Sequence, residues 1–301
     1  MLNHTVMLAP IALFTFKRPV HTRRTLESLA QNPEFTESPL FIYCDGARND
    51  GEAAQVEETR LLVRNWPHPN KTIIERDRNW GLANSVIEGV TELCKCFGRV
   101  IVVEDDLVVS PVFLNYLNVA LDRYADVPKV MQVSAHMFPV DIHSQFDAII
   151  LPFTTSWGWA TWDRAWKQFD PSMAGFEKLK VDRALRRKFN LDGSYPYFRM
   201  LKRQSKGQVD SWAIRWYLSV FLKDGLTVHP CHSLVCNTGY DSSATHSFSR
   251  HQFEGTKLWC EHVVIFPPPV ADVNTVDEIV DAMRSNKTFR GMLSMVLSWF
   301  S

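Results

Sequence analysis

Glu104, Asp105 and Asp106 stand side by side directly after the apolar run Ile101-Val102-Val103. Three carboxylates held that closely repel one another and raise one another's pKa unless positive charge sits among them. A hard divalent cation that bridges carboxylate and phosphate oxygens answers that need. The competing reading, acids decorating a solvated loop ahead of a capped helix, loses ground because the triplet follows the most apolar strand-like run of the chain.

Other chemistry-bearing residues recur at equivalent places. Lys17-Arg18, Asp45-Gly46 and Asp77-Arg78-Asn79 each follow a short apolar segment, as the triplet does. In Trp157-Gly158-Trp159, flat indole faces suit the C–H face of a sugar ring, and the glycine lets backbone approach. The opposing reading places these tryptophans in the core. Asp210, in Gln208-Val209-Asp210-Ser211-Trp212, opens a helical segment; it is either a general base or the helix N-cap, a position that favours Asp.

The elements that must position these groups alternate. Pro10–Phe16, Leu40–Cys44, Thr72–Glu75 and Arg99–Val103 read as strands. Val20–Gln31, Glu52–Trp66 and Leu82–Cys96 read as helices, and Ser110-Pro111 suits the opening of a fourth. Repeated strand–helix units imply an α/β fold, a mostly parallel sheet flanked by helices. Ligands of such sheets bind at the carboxyl ends of the strands, where the charged residues cluster. The second half is less regular, with a strand at Ile149–Phe153, a helix over Asp210–Lys223 and a strand at Leu226–His229. Trp162 and Trp166, spaced i, i+4, face the core.

The first strand is followed by no GxGxxG and the chain has no GxxxxGK[ST], which disfavours dinucleotide-binding and P-loop enzymes. With 33 basic and 33 acidic side chains, the composition gives no sign of a nucleic-acid partner. Six cysteines form no CxxC pair and read as reduced structural thiols of a cytoplasmic protein. Val6–Phe16 carries its charges after the apolar run, so it reads as a buried strand and not a signal peptide. The apolar tail Gly291–Phe300 either docks on the domain or rests peripherally in the inner face of a membrane.

Taken in order, several pieces resemble GT-A glycosyltransferases, Rossmann-like nucleotide-diphospho-sugar transferases. The similarity is to family 2-like bacterial enzymes and to animal mannosyl-glycoprotein N-acetylglucosaminyltransferase I, in which an acidic triplet stands in for the DxD motif. The pieces are Thr15-Phe16-Lys17-Arg18-Pro19, Cys44-Asp45-Gly46, Asn79-Trp80-Gly81-Leu82-Ala83-Asn84, Glu104-Asp105-Asp106, Trp157-Gly158-Trp159, Asp210-Ser211-Trp212 and Thr245-His246. Each is weak alone; together they span about residues 10 to 250 in the right order.

The resemblance implies one domain over 1–301, with a nucleotide-sugar half over about 10–135, an acceptor half over about 136–260 and a C-terminal tail over 261–301. It also implies roles. Arg18 would contact base or diphosphate, and Asp45 the uracil N3–H of a UDP-sugar, with a turn position as its alternative. Asn79, Gly81 and Asn84 would lie beside the nucleotide. Asp106 would ligate Mn2+ or Mg2+, Asp105 would orient ribose or donor sugar, and Glu104 would touch the donor or support the loop. His246 would reach back to metal or diphosphate, and Asp210 would be the base of an inverting transfer to a glycan or lipid-linked acceptor. A sugar-nucleotidyltransferase, or a non-catalytic carbohydrate-binding protein of the same fold, is the alternative.

Overall fold

The computed structural model describes residues 8–239 and 258–285. His246 and the tail Gly291–Phe300 lie outside them. The first half runs β1 (Ile11–Thr15), α1 (Pro19–Leu29), β2 (Leu40–Cys44), α2 (Asp50–Asn65), β3 (Lys71–Glu75), α3 (Leu82–Phe97) and β4 (Arg99–Glu104). It continues with β5 (Leu107–Val109), α4 (Phe113–Arg123), β6 (Val130–Ser134), β7 (Ala148–Leu151), β8 (Trp159–Trp162) and α5 (Asp163–Trp166). Then come α6 (Phe176–Val181), α7 (Arg183–Phe189), α8 (Tyr197–Gln204), α9 (Trp212–Leu222), β9 (Leu226–Pro230), β10 (Val235–Asn237) and α10 (Val273–Ser285).

Eight strands form one mixed sheet in the order β3-β2-β1-β4-β8-β6-β9-β7. The first four are parallel, with Leu13 opposite both Ile42 and Val103. β1 is buried along its whole length, and in β4 only Arg99 is not. That suits central strands of a parallel sheet covered on both faces. β1 connects through α1 to β2 on one side, while α3 carries the chain back to β4 on the other. The two connections diverge at the β1/β4 boundary, which is where an open α/β sheet forms its ligand crevice. Arg18, just past β1, and the acidic triplet, at the end of β4, are therefore brought together by topology.

The second half departs from simple strand–helix alternation. β8 runs antiparallel to β4, with Trp159 opposite Val102, and β7 runs antiparallel to β9. A second apolar cluster forms around Leu151, Phe189, Met200, Leu201 and Tyr217, between β7 and the helices α6 to α10. All six cysteines are free, and Cys44, Cys94 and Cys231 are buried. No helix of the described residues is long and apolar enough to cross a membrane.

Two expected starts moved. Ser110 does not cap a helix, because α4 begins at Phe113. The residues before it are drawn into β5, and the Ser110 hydroxyl instead donates to the Trp259 carbonyl at 2.6 Å. α9 begins at Trp212, not Asp210, because the Ser211 hydroxyl accepts from the Ile214 N–H at 3.3 Å and caps the helix.

Candidate active site at the β1 and β4 ends

The three acids are held differently. Asp105 accepts a hydrogen bond from the Phe16 N–H at 3.0 Å, and its carbonyl accepts from the Thr25 hydroxyl at 2.9 Å. Asp106 accepts from Arg18 Nη1 at 3.1 Å on one carboxylate oxygen and from Asn237 Nδ2 at 3.1 Å on the other. Its carbonyl takes both the N–H and the hydroxyl of Thr238, at 2.8 and 3.0 Å. Glu104 closes β4 and is buried.

Arg18 is pinned from several sides. Its Nη2 donates to the Gly239 carbonyl at 3.0 Å and lies 3.3 Å from His21 Nε2. A side chain on Gly239 would put Cβ 2.2 Å from Asp106 Oδ2, so only glycine lets the backbone come this close. His21, Asn237, Thr238 and Gly239 went unnoticed in the sequence. Asn237 ends β10, a three-residue strand antiparallel to β5 across more than 120 residues of chain. The only local signal is the turn-like Asn237-Thr238-Gly239 that begins with it.

Burial raises all three acids, and repulsion from neighbouring carboxylates adds to it at Glu104 and Asp105. Glu104 is pushed well above the carboxylate range by burial first and the charges of Asp106 and Asp105 next. Asp105 rises to about 7 through burial and Asp106, with Arg18 and the Phe16 N–H opposing. Asp106 is also raised by burial, against the pull of Arg18 and His21. The trio therefore carries more acid than one guanidinium balances, and its donors are all hard oxygens. Those donors suit Mg2+ or Mn2+. Among the described residues, no three His, Cys, Asp or Glu side chains converge with metal-ligand geometry. Each Asp106 oxygen holds one hydrogen bond and keeps a lone pair. The chain can thus offer a cation one or two oxygens, the arrangement in which substrate phosphates complete the shell.

Asp45 serves the neighbouring loop. Its Oδ1 accepts from the N–H groups of Gly46 and Trp80 at 2.9 and 2.7 Å, and Oδ2 accepts from Gly81 at 2.9 Å. Three of about four acceptor positions are used. An expected uracil N3–H would have to take the fourth. Asn79 donates to the Gly46 carbonyl at 2.8 Å, and Asn84 to the Trp80 carbonyl at 2.9 Å. Gly81, at φ 78°, is the N-cap of α3. Together these bonds stitch the β2 end to the β3 end. Gly46 is the tightest point, because an added Cβ would lie 2.4 Å from the Arg78 carbonyl carbon. Backbone cannot retreat as a flexible side chain can, so Gly46→Ala is expected to cost about 1–3 kcal/mol in urea unfolding.

The tryptophan expectation needs correcting. Trp159 is the first residue of β8, fully buried, stacked on Trp212 with ring centres 4.9 Å apart and packed beside Trp166. It belongs to the core and offers no face to a sugar. Gly158, at φ 59°, seats the chain against Phe113, whose ring a Cβ would meet at 2.7 Å. Trp157 is 8% exposed and meets the His136 ring edge-on at 4.5 Å. Trp162 and Trp166 are core residues as expected, although not on one helical face, because Trp162 ends β8 and only Trp166 lies in α5.

Asp210 is exposed and pairs with Arg215 Nη2 at 2.8 Å. The contact of Trp212 with Trp159, two positions from Glu104 through the Val102 pairing, sets the start of α9 toward the carboxyl rim of β4.

No protein-family model matches the sequence. No curated protein matches it either. Several solved structures align with part of the chain at low similarity. The chain is similar to the mannosyltransferase PcManGT from Pyrobaculum calidifontis, solved with GDP-Man and Mn2+, at 18% identity and TM-score 0.33, over 44% of this chain and 36% of that one. Glucosyl-3-phosphoglycerate synthase from Mycobacterium tuberculosis, solved with Mn2+ and UDP, aligns at 10% identity and TM-score 0.35, over 55% and 58%. TarS from S. aureus aligns at 16% identity and TM-score 0.34, over 71% and 34%. The chain thus spans between about a third and three fifths of the length of these proteins. Likeness at this level assigns no family.

Proposed function

We propose that the protein is a GT-A-type glycosyltransferase that moves a sugar from a nucleotide-diphosphate sugar, a UDP-sugar foremost, to a hydroxyl of a glycan or lipid-linked glycan. The single observation behind this reading is the meeting of Arg18 with the acidic trio at the β1/β4 crevice, where Glu104 is buried and Asp105 and Asp106 are half-buried. The finer resemblance, to family 2-like enzymes and N-acetylglucosaminyltransferase I, rests on the ordered sequence motifs. A bound Mn2+ or Mg2+ would supply Lewis-acid neutralisation of the departing diphosphate.

The residues then divide the work. Asp106 is the metal ligand, held in place by Asn237 and Thr238. Arg18, already on Asp106, lies where it can turn to a phosphate oxygen and add a charge-assisted hydrogen bond. Asp105 and Glu104 face the ribose and donor sugar. The loop stitched by Asp45, with Asn79, Gly81 and Asn84, walls the nucleotide. Asp210 takes the proton of the acceptor hydroxyl in an inverting displacement. Because Ser211 caps α9, the Asp210 carboxylate is not consumed by the helix end. Trp157 is the remaining aromatic candidate for the acceptor side.

Thermal melting with UDP-, GDP- and CMP-sugars in the presence of Mn2+ tests the reading, followed by detection of the released nucleotide. One donor should raise the melting temperature by several degrees and release nucleoside diphosphate only with the divalent ion. Asp210→Ala should keep that melting shift and lose transfer. Pyrophosphate release from UTP and a sugar phosphate would make the protein a nucleotidyltransferase. No shift and no product with any donor would leave a carbohydrate-binding role in its place.

A further inference from the structure

The chain is neutral as a whole, yet its charge is segregated. Residues 177–206 hold ten Lys and Arg against three Asp and Glu, so the remainder holds 23 against 30. The basic stretch builds α6, α7 and α8, which adjoin one another. The Phe176 and Phe198 rings stack at 5.6 Å, and the Arg186 guanidinium lies 5.1 Å from the Phe198 ring centre.

Periodicity decides which way the charges face. In α8, Tyr197, Met200 and Leu201 are buried against the second apolar cluster. Arg199 and Lys202 lie on the opposite side at i, i+3 and are exposed, and Lys206, in the turn that follows the helix, is exposed as well. In α7, Phe189 points inward, while Arg183 and Lys188 are exposed. Lys178 of α6 is exposed as well. Two nearby cations are already paired, Lys180 with Glu177 and Arg187 with Asp192. Lys178, Arg183, Lys188, Arg199, Lys202 and Lys206 have no salt bridge among the described residues. At the end of α6, Val181 stands 81% exposed, an apolar side chain presented among cations.

We propose that the outer side of α6–α8 is a docking surface for a membrane rich in anionic phospholipid. Basic side chains on adjoining helices collect attraction to lipid phosphates, each charge adding roughly fivefold in affinity. Val181 gives the surface an apolar tip that can enter the headgroup layer. That exposed valine favours a lipid surface over a dissolved polyanion, which would draw on the charges alone. The surface stands independently of the transferase reading.

Co-sedimentation of the full chain with vesicles tests it, comparing phosphatidylglycerol–phosphatidylcholine mixtures with phosphatidylcholine alone. Binding should require the anionic lipid and fall steeply with salt up to about 0.5 M, as screening shortens the reach of charge. The variant R183E/K188E/K202E/K206E changes only exposed side chains and should lose at least about tenfold in vesicle binding at unchanged melting temperature. Val181→Asp should weaken binding severalfold. Equal binding to neutral vesicles, or anionic-vesicle binding that survives the charge reversals, would overturn the proposal. So would failure to bind vesicles while inorganic polyphosphate binds tightly, which would mark the surface as a polyanion site.

Discussion

Replacing Asp106 by Asn is expected to lower transfer by about a hundred- to a thousandfold, the scale on which removal of one preorganised electrostatic group is felt. The side chain sits between two donors, Arg18 Nη1 and Asn237 Nδ2, each 3.1 Å away on its own carboxylate oxygen. An amide of the same size must turn its NH2 toward one of them. Arg18 and the β10 end then lose their shared anchor, and a hard cation loses an anionic ligand. Stability responds to two opposed effects. A donor facing a donor costs about 1–3 kcal/mol. Removing one of three crowded charges relieves the repulsion that raises Glu104 and Asp105. The melting temperature should therefore move little while nucleoside diphosphate release collapses. Wild-type transfer by Asp106→Asn would remove this residue from the proposed chemistry.

Acid should destabilise the protein through His229. Its ring is fully buried, with Nδ1 3.0 Å from the His136 carbonyl oxygen and Nε2 3.4 Å from that of Phe153. Burial pushes it down to about 4, although both carbonyls pull the other way. Neighbouring His136 falls further, to about 3, through burial and then the charge of His229. Because the folded pKa is lowered, the unfolded chain binds the proton more readily between about pH 4 and 6.5. The contribution of the neutral ring is thus fully present above about pH 6.5 and is lost as pH falls toward 4. At pH 4.5 the loss from His229 amounts to about 2–3 kcal/mol.

The acidic trio works in the opposite sense. Asp105, with a folded pKa near 7, keeps its proton in the fold, so its contribution rises as pH falls from 7 toward the unfolded carboxylate value. A bare stability profile mixes the two effects. The difference between wild type and His229→Gln separates them. Urea unfolding at pH 7 and pH 4.5 should show a loss smaller by about 2–3 kcal/mol in the variant. Equal losses in both proteins would mean that His229 is charged in the fold, held by its two carbonyls.

The residue order alone determined the parallel array and its charged rim. The apolar runs ending at Thr15, Cys44, Glu75 and Glu104 are short, β-branched and punctuated by helices, so local patterning was enough to place them. The same array brought Arg18 and the Glu104-Asp105-Asp106 trio to adjacent strand ends. Tertiary structure decided what each of those groups touches. Asn237, Thr238 and Gly239 reach Asp106 only because β10 pairs with β5, a contact that closes after more than a hundred intervening residues and leaves no local periodicity. Trp159 was ambiguous for a related reason. A Trp-Gly-Trp stretch fits a sugar platform or a core strand equally well, and only the pairing with Val102 and the stack on Trp212 seal that ring inside. Short-range spacing encodes which face a helix or strand presents; which distant chain covers that face is set by the packing of the whole sheet.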